Sequence, residues 1–290
     1  NLGDGTPVRT YIIDHQGPAK VTGLSFTADI TSILLRWEAV PDRDVDYYQV
    51  ERRDAAGEHY ETVGRVQAQL CLNITGLKPD SLHWLRVVAY DRTGNRGTPS
   101  DEILANTLAD TLPPRVTAIE PSPNYFNSLI KLKGTATDNV GISSFTFQYS
   151  RDLQAWQTLV TIMVPAGPTT ATVAHDWNVA GMPDGDYYVR GVAVDTCGNT
   201  AIAAWHVQYR VDHTPPAQPT GLAASATAGT ITISWTQGAE ADLIAYRVYR
   251  ATSAGGPYQL IAGHHPYLSY HDNNVEQDQV YFYKITPIDA

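Results

Sequence analysis

Asp42, Asp44 and Asp46 alternate, the spacing with which a calcium-binding loop begins. Such a loop needs glycine at its sixth position for a sharp turn and glutamate at its twelfth to grip the ion with both oxygens. Tyr47 and Arg53 stand there instead, so the stretch reads as a solvated turn. Asp91-x-x-Gly94-Asn95 and Asp195-x-x-Gly198-Asn199 recur between strands. Gly and Asn tolerate positive φ and Asp bonds nearby backbone, so turn chemistry accounts for every residue in them. The histidines follow no metal spacing: His264 and His265 are adjacent and would face opposite sides of a strand, and His175 and His213 are isolated. A nucleophile would need Gly-x-Ser-x-Gly, a cysteine paired with histidine, or a lysine-activated serine, and the chain has none. We therefore expect no catalytic residue, no metal and no cofactor, and the chain is not expected to be an enzyme.

One group of residues is suited to binding. With a period of two, Trp84, Arg86, Val88 and Tyr90 point outward from one strand, and Tyr47, Gln49 and Glu51 point the same way from its neighbour. Tyr47, Trp84, Arg86 and Tyr90 are the candidate binding residues, a platform for a sugar ring or a protein partner. Cross-strand pairing of large side chains, with Arg86 stacking, would place them equally well, as would contact with an adjoining module. Asn73-Ile-Thr75 is a glycosylation sequon.

The elements that position these residues are strands. The chain has 290 residues, 22 Gly, 18 Pro and 17 Tyr, and no long segment carries a helical apolar period. There are 20 basic and 30 acidic side chains, a net charge of -10 and no basic run, which argues against nucleic-acid binding. No apolar run is long enough to span a membrane. Cys71 and Cys197 sit in different modules and are not expected to pair. The first residue is not Met, and the chain reads as a piece of something longer.

Residues 14–91 repeat as 212–289 without gaps, with 20 of 78 pairs identical. Asp14-His15 returns as Asp212-His213, Trp37 as Trp235, Tyr48-x-Val50-x-Arg52 as Tyr246-x-Val248-x-Arg250, and Asp91 as Asp289. Repetition on this scale marks an array of domains. In the first copy Ile33, Leu35 and Trp37 alternate toward a core, as do Leu70, Leu72 and Ile74, and then His83, Leu85, Val87 and Ala89. Pro41-Asp42, Ala56-Gly57, Gly76, Lys78-Pro79-Asp80 and Gly94-Asn95 separate them as turns. A final strand is expected from about Pro99 to Thr107.

Trp37, Tyr48-x-Val50 and Leu77-x-Pro79 leading to His83 resemble a fibronectin type III domain. His83 replaces the tyrosine that in this family closes a corner on upstream backbone; Tyr281 keeps that corner in the second copy. The stretch between the copies carries Gly134-x-x-x-Asp138, Trp156, Trp177, Asp184-Gly185-Asp-Tyr187 and Asp195-x-x-Gly198-Asn199, and is similar to bacterial Ig-like modules. Trp37, Tyr48, His83, Trp156, Trp177, Trp235, Tyr246 and Tyr281 are the expected structural core positions. The resemblance implies an all-β chain, an extended tandem array of Ig-like and fibronectin type III β-sandwiches. Residues 1–14 would be the last strand of a preceding Ig-like module, 15–108 a fibronectin type III-like domain, 109–213 Ig-like, and 214–290 a second fibronectin type III-like domain lacking its last strand. Joints ending in Pro113-Pro114 and Pro215-Pro216 would be stiff.

Such arrays imply a non-catalytic spacer of a large extracellular, cell-surface or cell-wall protein, whose partners are neighbouring modules of the same chain. Two alternatives stand beside it. One is an adhesion module for cell-wall polysaccharide or a surface protein. The other is a filament-forming subunit joined head to tail by donor-strand addition. Neither a nucleic acid nor a membrane span is expected.

Overall fold

In a computed structural model, which describes residues 14–54, 59–122, 124–240 and 242–289, all regular structure is strand. All of the expected strand of residues 1–14 except Asp14, and the turn at Ala56-Gly57, lie outside the described residues. Among the described residues no helix is long and apolar enough to cross a membrane. The chain divides into two compact units: residues 1–113 with the loop 195–199, and residues 114–194 with 200–290.

The first unit holds β1 (Ser25–Ala28), β2 (Ser32–Arg36), β3 (Val45–Asp54), β4 (Glu61–Val66), β5 (Cys71–Thr75), β6 (Leu82–Asp91) and β7 (Ile103–Asn106). They form two antiparallel sheets, β1-β2-β5 and β4-β3-β6-β7. Ile33, Leu35, Trp37, Tyr48, Val50, Leu85, Val87 and Ala89 fill the space between them, each less than a tenth exposed. The indole of Trp37 lies 5.6 Å from the ring of Tyr48. Three details depart from the alternation. Leu70 precedes β5 and is exposed, its carbonyl held by the Trp37 N–H. The last strand starts only at Ile103, because the chain first turns in through Arg96, which bridges to Tyr90. Val88 points outward yet is fully buried.

The second unit contains two further pairs of sheets. The first pair uses β8 (Arg115–Glu120), β9 (Tyr125–Phe126), β10 (Leu129–Thr137), β11 (Ile142–Ser150), β12 (Gln157–Met163), β13 (Thr170–Asn178), β14 (Gly185–Asp195), β15 (Thr200–Ile202) and β16 (Val207–Val211). Sheet β13-β10-β8 packs on β12-β11-β14-β16-β9, in which β9 runs parallel to β16 and β15 pairs with β14. Phe145, Phe147, Trp177, Tyr187 and Tyr209 form its aromatic centre. A Cβ on Gly134 would stand 2.5 Å from the Phe145 ring, and one on Gly191 2.6 Å, so that ring is seated on bare backbone from both sheets. Trp156 does not join this core. It lies just before β12 on the outside of its sheet, with the Arg190 guanidinium 4.0 Å from its ring.

The other pair uses β17 (Thr220–Thr227), β18 (Thr230–Thr236), β19 (Leu243–Ala251), β20 (Gln259–His265), β21 (Ser269–Asp272) and β22 (Phe282–Asp289), arranged as β17-β18-β21 and β20-β19-β22. Trp235 and Tyr246 repeat the ring pair at 5.2 Å, and the Trp235 N–H bonds the Leu268 carbonyl as Trp37 bonds Leu70. The core is thinner: five buried residues against thirteen in the first copy, among the described residues. Ala224 replaces Phe26, and every residue of β17 is exposed.

The corner has three chemistries. Tyr187 donates its hydroxyl to the Pro183 carbonyl at 2.9 Å. The Tyr281 hydroxyl accepts from the Glu276 N–H at 3.0 Å, and its ring is half-buried rather than part of the core. His83 is buried and works through a relay: Ser81 gives its hydroxyl hydrogen to the Lys78 carbonyl, so His83 Nε2 donates to Ser81 Oγ at 2.9 Å. The shorter imidazole reaches the same loop with a borrowed hydroxyl.

Candidate functional site

Sheet β4-β3-β6-β7 positions the four candidate binding residues on one face. Its register sets Tyr47 beside Tyr90, Gln49 beside Val88, Glu51 beside Arg86 and Arg53 beside Trp84. The Tyr47 and Tyr90 rings stack at 4.8 Å with 8° between their planes. Arg65 lies 5.2 Å from the Tyr47 centroid, Arg53 4.8 Å from Trp84, and Arg86 3.4 Å from Tyr60. The Tyr47 and Trp84 rings are thus already occupied by neighbouring guanidiniums, which stack on them by cation–π attraction, and the Tyr90 ring is covered by Tyr47. They do not form the bare stacking platform that alternation alone suggests.

A polar chain crosses the same face. Arg65 Nε donates to Gln49 Oε1 at 2.9 Å, Gln49 Nε2 to Glu51 Oε1 at 3.0 Å, and Arg86 Nε to Glu51 Oε2 at 2.7 Å. Arg96 Nη2 reaches both Glu51 oxygens at 3.1 Å. Glu51 and Gln49 are each 6% exposed although they point outward, because the arginines lie across them. Burial pushes the Glu51 carboxyl up. The bonds from Arg86, Arg96 and Gln49 outweigh it and leave the group below the ordinary glutamate value. Arg53 grips Glu102 with two bonds, at 2.9 and 2.8 Å.

At one end of the first unit the loop after β6 clasps the incoming chain. Asp91 is buried, and its Oδ1 accepts from the Thr93 and Asn95 N–H groups and the Thr93 hydroxyl, each at 2.9 Å. Gly94 turns the loop at φ 89°. Asn95 Nδ2 then donates to Asp91 Oδ2 at 2.9 Å and to the Asp14 carbonyl at 3.0 Å. Burial pushes Asp91 up, and the donors from Asn95 and Thr93 prevail and hold it low. The loop 195–199 repeats the device: Asp195 accepts from the Cys197 and Asn199 N–H groups at 2.8 Å, and Asn199 Nδ2 donates to the Asp110 carbonyl at 3.1 Å.

Asp14, Asp44 and Asp91 converge, with one carboxylate oxygen of each within 4.8 Å of the others. Among the described residues of the first unit these are the ones that could hold a cation. Sequence reasoning placed Asp44 in a turn and Asp14 and Asp91 in the repeat, but did not join them. The available signal was that all three return, as Asp212, Asp242 and Asp289. Cys71 and Cys197 are exposed and form no disulfide.

The tryptophan–tyrosine pair between two antiparallel sheets of three and four strands decides the first sandwich. Residues 19–105 match the fibronectin type III domain. The receptor-type tyrosine-protein phosphatase F of Bos taurus is 27% identical over 265 residues, covering 88% of this chain and 13% of that protein. The chain therefore spans about an eighth of that relative. Three tandem domains FN1–FN3 of chicken CNTN1 are 16% identical, with 94% of both chains covered and a TM-score of 0.40. A fibronectin type III domain of a human fibronectin type III domain containing protein 3 is 19% identical, covering 34% of this chain and 94% of that one, with a TM-score of 0.31. A fibronectin type III domain in a chain with further β-sheet pairs is consistent with a structural, spacing or adhesion-like segment.

Proposed function

We propose that this chain is a non-catalytic spacer of a larger extracellular or wall-associated protein, built to hold other domains at a distance. The observation that carries the reading is the repeated clasp, in which Asn95 holds the Asp14 carbonyl and Asn199 holds the Asp110 carbonyl. Each clasp ties a joint residue to the loop after a long central strand by a bond to backbone. Joints that end in consecutive prolines resist bending on their own account. The middle sandwich is proposed as an Ig-like module, a reading supported by the parallel β9–β16 pairing that the flanking repeats lack among the described residues.

Small-angle X-ray scattering of the chain and of Asn95→Ala/Asn199→Ala tests this. A spacer predicts a narrow distribution of maximum dimension for the parent chain and a broader one for the folded variant. Identical profiles would show that the clasps hold nothing and would remove the reading.

A further inference from the structure

Four arginines reach the outer face of sheet β4-β3-β6-β7, and among the described residues two carboxylates answer them. Glu51 takes Arg86 and Arg96, and Glu102 takes Arg53. Arg65 donates to the neutral amide of Gln49. Counted over the described residues, this sheet face carries a surplus of two positive charges, on a chain whose net charge is -10. The surplus is localised. Arg65 and Arg96 are the exposed members, and they flank the Tyr47–Tyr90 stack, Arg65 against the Tyr47 ring and Arg96 in a side-chain hydrogen bond with Tyr90.

A neutral sugar is best held by stacking on a bare ring, and here the rings already carry guanidiniums or each other. What the face offers is guanidinium edges, which bind planar or tetrahedral oxyanions in pairs of hydrogen bonds. The Tyr47–Tyr90 stack adds two hydroxyls, of which that of Tyr90 is in a side-chain hydrogen bond with Arg96, and a hydroxyl both donates and accepts. We propose that this face binds an acidic polysaccharide, taking its carboxylate or sulfate groups on Arg65 and Arg96 and its ring hydroxyls along the Tyr47–Tyr90 stack. The assignment does not depend on the spacer role, and a rigid or a flexible chain would display the face equally.

The test is surface plasmon resonance of the full chain over immobilised dextran sulfate, alginate and plain dextran, with oligothymidylate as a further polyanion. We expect retention on dextran sulfate or alginate, none on dextran, and loss of binding as salt rises to about 0.5 M. Which of the two retains the chain tells sulfate from carboxylate. Arg65→Gln/Arg96→Gln should weaken binding about tenfold, whereas Arg36→Gln/Arg43→Gln, two exposed arginines elsewhere in the first unit, should leave it unchanged. Circular dichroism melts confirm that the variants are folded. If Arg96→Gln unfolds the domain by disturbing Glu51, Arg65→Gln alone carries the test. Equal binding by the folded double variant, equal loss in the control pair, or retention on neutral dextran would overturn the proposal. Oligothymidylate bound as tightly through the same arginines would replace the polysaccharide with a nucleic acid.

Discussion

Arg86 lies across Glu51, Nε to Oε2 at 2.7 Å, and turns a solvent-side carboxylate into a buried one. Glu51→Gln keeps the shape and removes the charge that Arg86 and Arg96 share. Charged hydrogen bonds of this kind contribute about 1.5–3 kcal/mol each, and removing one partner leaves the others unmatched. A loss of about 2 kcal/mol in urea unfolding of the first sandwich is expected. A loss below about 0.5 kcal/mol would mean that solvent screens the network as it screens ordinary surface pairs.

The same carboxylate sets an acid response. Its pKa is lower folded than unfolded, so its contribution is fully present above the ordinary value of 4.5 and is lost as pH falls through the depressed folded value. Stability of the first sandwich should therefore fall below about pH 4.5, and in Glu51→Gln the slope of that fall should be shallower. Melting temperature followed from pH 6 to pH 3 in both proteins measures the difference. Parallel curves would assign the acid response to other carboxylates.

Phe145 is seated between Gly134 and Gly191, and a methyl group on either would enter its ring. Gly134→Ala and Gly191→Ala should each cost about 1–3 kcal/mol by overpacking. Phe145→Leu, which shortens the side chain, should recover part of that loss in a double variant. A double-mutant cycle with no coupling would place the strain elsewhere.

The corner bonds predict a second, smaller effect. Tyr187→Phe removes the hydrogen bond to Pro183 and should cost about 1 kcal/mol. Ser81→Ala breaks the relay on which His83 depends and should cost a similar amount, about 1 kcal/mol, in the first sandwich. Restoring tyrosine at residue 83 in the Ser81→Ala background should return stability if ring length is the reason for the relay.

The third sandwich should open first. Its buried core is the smallest of the three among the described residues, and β17 contributes alanines where the first copy places Phe26. Native-state hydrogen exchange should show amides of β18 and β21 exchanging ahead of those of β2 and β5. Equal protection would mean that backbone pairing, not core size, limits opening.

Much of this was legible in the residues. Alternation located β2, β3, β6 and their copies, because a period of two fixes which side chains share a face. The turn at Asp91-x-x-Gly94-Asn95 followed from glycine and aspartate chemistry. Other features depend on residues brought together from separate strands. Arg65 and Arg86 come from different strands to cover Gln49 and Glu51, and Trp156 meets Arg190 outside the sheet rather than a core inside it.

The sequence by itself determined an all-β chain of repeated strands and the positions of Trp37, Tyr48, Trp235 and Tyr246, since periodicity and repetition are local properties of a linear text. Only the tertiary structure decided that the outward aromatics are capped by arginines and that Asn95 and Asn199 reach back to Asp14 and Asp110. It also brought Asp14, Asp44 and Asp91 to one place. Alternation says which way a side chain leaves its strand; what it meets is set by sheet register and by long, flexible side chains from elsewhere in the chain.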